Sequence, residues 1–127
     1  FTTCRQRWGR PKCYITTLTP VTNSTDGWVT AANQTFSGTL GTAGVTPNWA
    51  NHTDNTGTSG RSHYNAQARA NALGGDGCLD VASQMQDAAD ERKWRVDLGV
   101  PTPDGLHPTQ NLNTQGANAF NVAALIG

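Results

Sequence analysis

Apolar and β-branched side chains gather first in KCYITTLTP, residues 12–20. Tyr14, Ile15, Thr16, Thr17 and Leu18 favour extended backbone, and Pro20 stops the run, so a strand is predicted over 12–19. Polar positions do not alternate strictly within it, which suits a strand covered on both faces, as in a parallel sheet. The pattern changes at SHYNAQARANALGG, residues 62–75, which predicts a helix. Ser62 is placed to cap its start, and Gly74 and Gly75 end it. CLDVAS, 78–83, reads as a second short strand over 78–82. SQMQDAADERKW, 83–94, predicts an acidic surface helix opened by a Ser83–Gln86 capping box. NTQGANAFNVAALIG, 113–127, predicts a closing helix that packs Phe120, Ala123, Ala124 and Leu125 on the core. Strands alternating with helices argue for an α/β layer in which 12–19 and 78–82 run parallel. In such sheets ligands bind beyond the carboxyl ends of the strands.

Residues 20–62 interrupt this alternation. Of these 43 positions, 25 are Thr, Asn, Ser or Gly, and only Asp26, Asp54 and Arg61 are charged. Such a composition has little helical tendency, and the length exceeds that of an ordinary connection. Short β pieces are expected around GWVTAANQTFSGTL, 27–40. Trp28, Phe36 and Trp49 are the aromatic anchors. Rings in a polar excursion pin it to the domain, which is the commoner use. They also provide a platform for a sugar ring or acyl group, which makes Trp28 and Trp49 the candidate substrate-binding residues.

The chain has 127 residues, enough for one small domain. Nine basic and nine acidic side chains cancel, so no field of one sign argues for nucleic acid. No apolar run approaches the ~20 residues of a membrane span. A first residue of Phe1 suggests that something upstream was removed. Cys4, Cys13 and Cys78 are an odd set without paired spacing. A Cys4–Cys13 bridge and buried free thiols both fit, and the redox compartment stays open.

The chemistry concentrates in PTPDGLHPTQ, 101–110. Pro103, Gly105 and Pro108 forbid a regular helix and shape a turn around Asp104 and His107. A carboxylate held beside an imidazole fixes the ring's tautomer and stabilises its charged form. The plainer alternative is a turn in which Asp104 caps backbone and His107 is a surface residue. His52, His63, His107 and the cysteines lack paired ligand spacing, so no metal site and no cofactor is expected. Ser59, in GTSGRS, sits in a loose Gly-x-Ser-Gly setting but follows a polar loop, whereas a nucleophile elbow needs a preceding strand. Asp76 and Asp80 flank a strand as a carboxylate pair. Solvation or turn capping suits Asp76, and a strand edge suits Asp80.

CYITTLTP, YNAQARANAL, CLDVAS and DGLHPTQ, in this order and before a closing helix, resemble the carboxyl-terminal half of the SGNH, or GDSL, hydrolases. Asp104, His107 and Pro108 match that family's Asp-x-x-His block, while the strand ending in Thr-Pro and the helix with Arg69 and Asn71 fit its central region more softly. The resemblance spans most of the chain outside 21–61. It implies a flavodoxin-like three-layer α/β/α fold, of which residues 1–127 are the carboxyl-terminal part of one domain. It implies Asp104 and His107 as catalytic orienter and base of a Ser-dependent esterase. The sequence departs from the family in lacking the Gly-Asp-Ser nucleophile block and the Gly-x-Asn-Asp oxyanion block. GGDGC at 74–78 has Gly where Ser is needed, and HTDN at 52–55 is no match. The spacing from His107 to Gly116 is also longer than usual. The implied partners are therefore a small ester or acylated carbohydrate and an amino-terminal segment or second chain carrying the Ser, with neither nucleic acid nor membrane. The chain alone is expected to be inactive, and its composition suits a secreted or virion-associated protein. A non-catalytic carbohydrate-binding or adhesin module on a degenerate hydrolase fold is the alternative.

Overall fold

Strand β1 forms where the β-branched run was expected, but only over Tyr14–Thr16. It pairs in parallel with β4, Gly77–Leu79, with Ile15 opposite Cys78. The computed structural model describes residues 12–36 and 60–120. Both strands are shorter than predicted because side chains replace the ladder at each end. Asp76 takes the Cys13 N–H on its carboxylate at 2.7 Å, and its own N–H donates to Cys13 O. Beyond Thr17, the fully buried Asn65 stands in for a neighbouring strand. Its Oδ1 accepts from Leu18 N–H at 2.8 Å and its Nδ2 donates to Leu18 O at 3.0 Å. The backbone at the strand end is thereby satisfied by a side chain.

Helix α1, Gly60–Arg69, carries Asn65 and lies between β1 and β4 in sequence. The expected strand–helix–strand unit is present, and the chain is a mixed α/β protein with a small parallel sheet. Two details of α1 differ from expectation. Ser62 lies inside the helix, not at its cap, and its hydroxyl donates to Glu91 Oε1. The helix ends at Arg69, before the two glycines, because Asn71 takes the left-handed position that a helix end favours, at φ 54°.

The excursion opens as a hairpin. β2, Thr22–Ser24, pairs antiparallel with β3, Gln34–Phe36. The loop between them is organised by Asp26. Its carboxylate accepts from the Ser24 hydroxyl, the Val29 and Thr30 N–H groups, the Thr30 hydroxyl and Asn33 Nδ2. Ser24 Oγ in turn accepts from Trp28 N–H at 2.8 Å, which helps hold Trp28 at φ 60°.

The acidic helix predicted over 83–94 does not form. Helix α2 is Val81–Met85, one element earlier, with Asp80 as its N-cap. The remaining residues fold back, so that Gln86 bridges antiparallel to Trp94. Asp87 accepts from Ala89 and Asp90 N–H, and Asp90 accepts from Arg92 N–H. These short side chains offer the backbone turns that compete with a helix. The fold-back delivers Trp94, which is fully buried, to a core of Met85, Trp94 and Leu112, with Trp28, Val81 and Leu98 against it.

Helix α3 is Gln110–Asn118, starting three residues before the predicted 113. Thr109, which follows Pro108, is its N-cap and accepts from Leu112 N–H. Leu112 and Gly116, one turn apart, are its buried residues. Gly116 is there because α2 crosses closely: a Cβ on it would lie 3.0 Å from Met85 Cε. Phe120 follows the helix, half-buried, while Ala123, Ala124 and Leu125 lie outside the described residues.

One buried cation ties these pieces to the carboxyl end of β1. Arg61 is 5% exposed and donates to Leu18 O, Thr19 O, Gln86 Oε1 and Glu91 O. Burial pushes its guanidinium down to about 10, and the nearby Glu91 carboxylate opposes that shift. All four of its acceptors are backbone or amide oxygens, so it works as a hydrogen-bonding clamp on the loop after β1 more than as one half of an ion pair.

Candidate functional site

The turn at 101–109 is built from its own polar groups. Thr102 is fully buried, and its hydroxyl oxygen accepts from Gly105 N–H at 2.9 Å. Thr109 N–H closes the segment on Pro101 O at 2.8 Å. Inside this frame Asp104 Oδ1 accepts from Leu106 N–H at 2.9 Å and from His107 N–H at 2.8 Å. Its other oxygen, Oδ2, lies 2.7 Å from His107 Nδ1. The expected direct bond between the two side chains is present. The His107 hydrogen bond, then the backbone donors, hold the Asp104 carboxyl far below the ordinary carboxylate range. An ionised Asp104 accepts a hydrogen bond from Nδ1–H, which leaves the Nε2 lone pair directed away from the turn.

Gly105 ties the turn to the rest of the molecule. Its carbonyl accepts two hydrogen bonds, from Thr22 N–H at 3.1 Å and from Trp94 Nε1–H at 3.1 Å. Its backbone is left-handed at φ 81°, and a Cβ would come within 1.8 Å of Thr22 O and 2.8 Å of the Trp28 ring. Only glycine fits this approach. Thr22 and Trp28 belong to the segment that leaves the carboxyl end of β1. The described opening of the excursion, residues 20–36, therefore borders the Asp104–His107 turn.

Trp28 is half-buried, and its indole N–H is already satisfied by Thr22 Oγ1 at 3.0 Å. The ring packs on the core and on Gly105, which is the anchoring role. Trp49, the other candidate platform, lies outside the described residues, as do His52, Ser59 and Cys4. His107 stands out from the surface, its side chain 72% exposed. A depression of about 520 Å³ lies elsewhere, lined by residues of α2 and the 86–97 segment that include Gln86, Glu91 and Arg95, and neither Asp104 nor His107 takes part in it.

The other acids have structural partners. Asp80 caps α2, accepts from the Thr17 hydroxyl and pairs with Arg69 through two hydrogen bonds. Burial would raise its carboxyl, but the Arg69 and Thr17 bonds win and lower it. Asp76 extends the β1–β4 ladder. Among the described residues no three His, Cys, Asp or Glu side chains converge as metal ligands, and no described helix is long and apolar enough to cross a membrane.

The supporting residues Thr22, Gln34, Trp94 and Thr102 were not singled out by sequence. Trp94 carried a signal: a large apolar ring inside DAADERKWRVD has to be buried somewhere. Gln34 carried none, because its role depends on partners 60 residues away. Comparison with protein families, with curated proteins and with solved structures finds no match to this chain.

Proposed function

We propose that the chain is the carboxyl-terminal part of a Ser-dependent esterase of the SGNH type, contributing its orienter and base. The observation that carries this reading is the Asp104–His107 bond at 2.7 Å, with the carboxylate locked by two backbone donors. A capping Asp needs the backbone bonds alone. An imidazole bonded through Nδ1, its second nitrogen facing outward, is the arrangement a hydrolytic base requires.

In the proposed reaction a Ser hydroxyl supplied by a preceding segment or a second polypeptide attacks the ester carbonyl. His107 Nε2 takes the hydroxyl proton, and Asp104 stabilises the imidazolium that results. Collapse of the tetrahedral intermediate breaks the ester C–O bond, and the proton passes from Nε2 to the departing alkoxide. Water then hydrolyses the acyl-enzyme by the same proton route. Oxyanion donors come with the Ser. The substrate is a small ester or an acylated carbohydrate.

The test is co-expression with an upstream segment carrying Gly-Asp-Ser and Gly-x-Asn-Asp, assayed on a small chromogenic ester. Residues 1–127 alone should be inactive, the combination active, and His107→Ala in this chain should remove on the order of 10⁶-fold in kcat. Sugar binding without turnover in the combination would point instead to a carbohydrate-binding module.

A further inference from the structure

The carbonyl of Gly105 lies between Asp104 and the residues that precede His107, and it accepts two buried donors. Those donors do not stand alone. Gln34 is 2% exposed and uses its amide as a strand would use its backbone. Its Oε1 accepts from Trp94 N–H at 2.9 Å, and its Nε2 donates to Trp94 O at 2.9 Å. The same Oε1 accepts from the Thr22 hydroxyl at 3.3 Å, and that hydroxyl accepts from Trp28 Nε1–H at 3.0 Å. Gln34 thus fixes both Trp94 and Thr22, and both of these hold Gly105 O. Each side chain of this network has a partner, and Thr22, Gln34 and Trp94 are all buried. A fully satisfied buried network of this kind is rigid, whereas the pair it meets is exposed.

We infer that Gln34, Thr22 and Trp94 are positioning residues for the Asp104–His107 pair: they fix the Gly105 peptide, and through it the Nδ1–H tautomer of His107. The inference rests on the proposed role of the pair, but its consequence is readable in the 127-residue chain without catalysis. An exposed imidazole with a free ring samples both tautomers. One whose carboxylate partner is held in place does not.

The experiment is ¹⁵N NMR of the His107 ring, with ¹³C titration of the Asp104 carboxyl. The intact chain should show the Nδ1–H form when His107 is neutral. Thr22→Val keeps the shape and the N–H but removes the hydroxyl. Trp94→Phe removes the indole donor. In both, the two ring nitrogens should converge toward a tautomer mixture and the Asp104 carboxyl should titrate higher. Thr22→Ser should restore the original spectrum. Met85→Leu, in the same core but outside the network, should leave it unchanged. If Thr22→Val and Trp94→Phe are folded and keep the original tautomer, or if Met85→Leu disturbs it equally, the inference is wrong. Where neither variant folds, exchange in the unaltered chain decides: the Trp94 indole N–H and Thr22 amide should exchange as slowly as the Leu112 amide, and rapid exchange overturns the network. Ester hydrolysis separates this claim from the one beneath it. Expected tautomers without activity in the completed enzyme sink the esterase reading alone. Activity that needs His107 but ignores Thr22→Val sinks the positioning alone.

Discussion

Asp26 and Asp104 are the same device used for two ends. Each is a carboxylate in a loop, each accepts from two backbone N–H groups within its own turn, and each has its pKa driven far below the ordinary value of 3.8. They differ in the last donor. Around Asp26 the side-chain donors are Ser24, Thr30 and Asn33, all neutral groups with no further proton chemistry. At Asp104 the corresponding donor is His107 Nδ1, and the ring has a second nitrogen pointing outward. A locked carboxylate therefore says nothing about function by itself. What it locks decides: the Asp26 loop orients Trp28, and the Asp104 turn orients a titratable ring.

Substituting the two acids separates these uses most sharply. In the proposed two-part esterase Asp104→Asn keeps the size of the side chain but offers His107 the wrong partner, and kcat should fall by about 10⁴-fold. Asp26→Asn should leave turnover within about threefold, since it acts two residues from Trp28 and touches no reacting group. It should instead lower the melting temperature and speed exchange of the Val29 and Thr30 amides. Equal losses of turnover would erase the distinction drawn here.

The glycines beside the two acids give the next largest contrast, in stability. Gly27 has φ 69° with nothing within 4 Å of a Cβ, so Gly27→Ala meets only the left-handed backbone penalty of roughly 1–2 kcal/mol. Gly105 has φ 81°, and its Cβ would strike a backbone oxygen at 1.8 Å that belongs to Thr22. Backbone cannot move aside as a side-chain tip can. Gly105→Ala should therefore lose more than about 3 kcal/mol, or fail to fold, in chemical denaturation. Similar losses for the two variants would mean that the backbone of Thr22 yields to a Cβ at Gly105.

What could be read in advance follows the range of the interactions. The 101–109 turn was legible because its shape is set by Pro103, Gly105, Pro108 and a carboxylate three residues from its partner, all local. The parallel pairing of β1 and β4 was legible because a strand–helix–strand order leaves few alternatives. The helix expected at 83–94 failed where local signals conflict: its charged residues favour a helix, but Asp87 and Asp90 can each cap a turn, and burial of Trp94 favours the fold-back. The network behind the site was illegible for a different reason. Gln34 meets Trp94, and Thr22 meets Gly105, across 60 and more residues of chain, and nothing near Gln34 in sequence marks it as buried.

The smallest effect is also the cleanest, because it reads each carboxylate directly. The largest influence lowering Asp104 is its bond to His107, and the largest lowering Asp26 is its bond to the Ser24 hydroxyl. Each should respond to its own donor and ignore the other's. A ¹³C titration of the intact chain should find both carboxyls ionised well below pH 3.8. His107→Ala should raise Asp104 toward the ordinary range and leave Asp26 in place, and Ser24→Ala should do the reverse. The sign for stability follows. Both groups have folded pKa values below their unfolded ones, so their contribution is complete above the unfolded value, about 3.9. It fades as pH falls from there through the folded values. Between about pH 5 and 7 Ser24→Ala should leave the pH slope of stability unchanged, and below about pH 4 each variant should flatten it. If His107→Ala moved Asp26 as far as Asp104, the two loops would be coupled through Trp28 and Gly105, and the acids could no longer be treated as independent copies of one device.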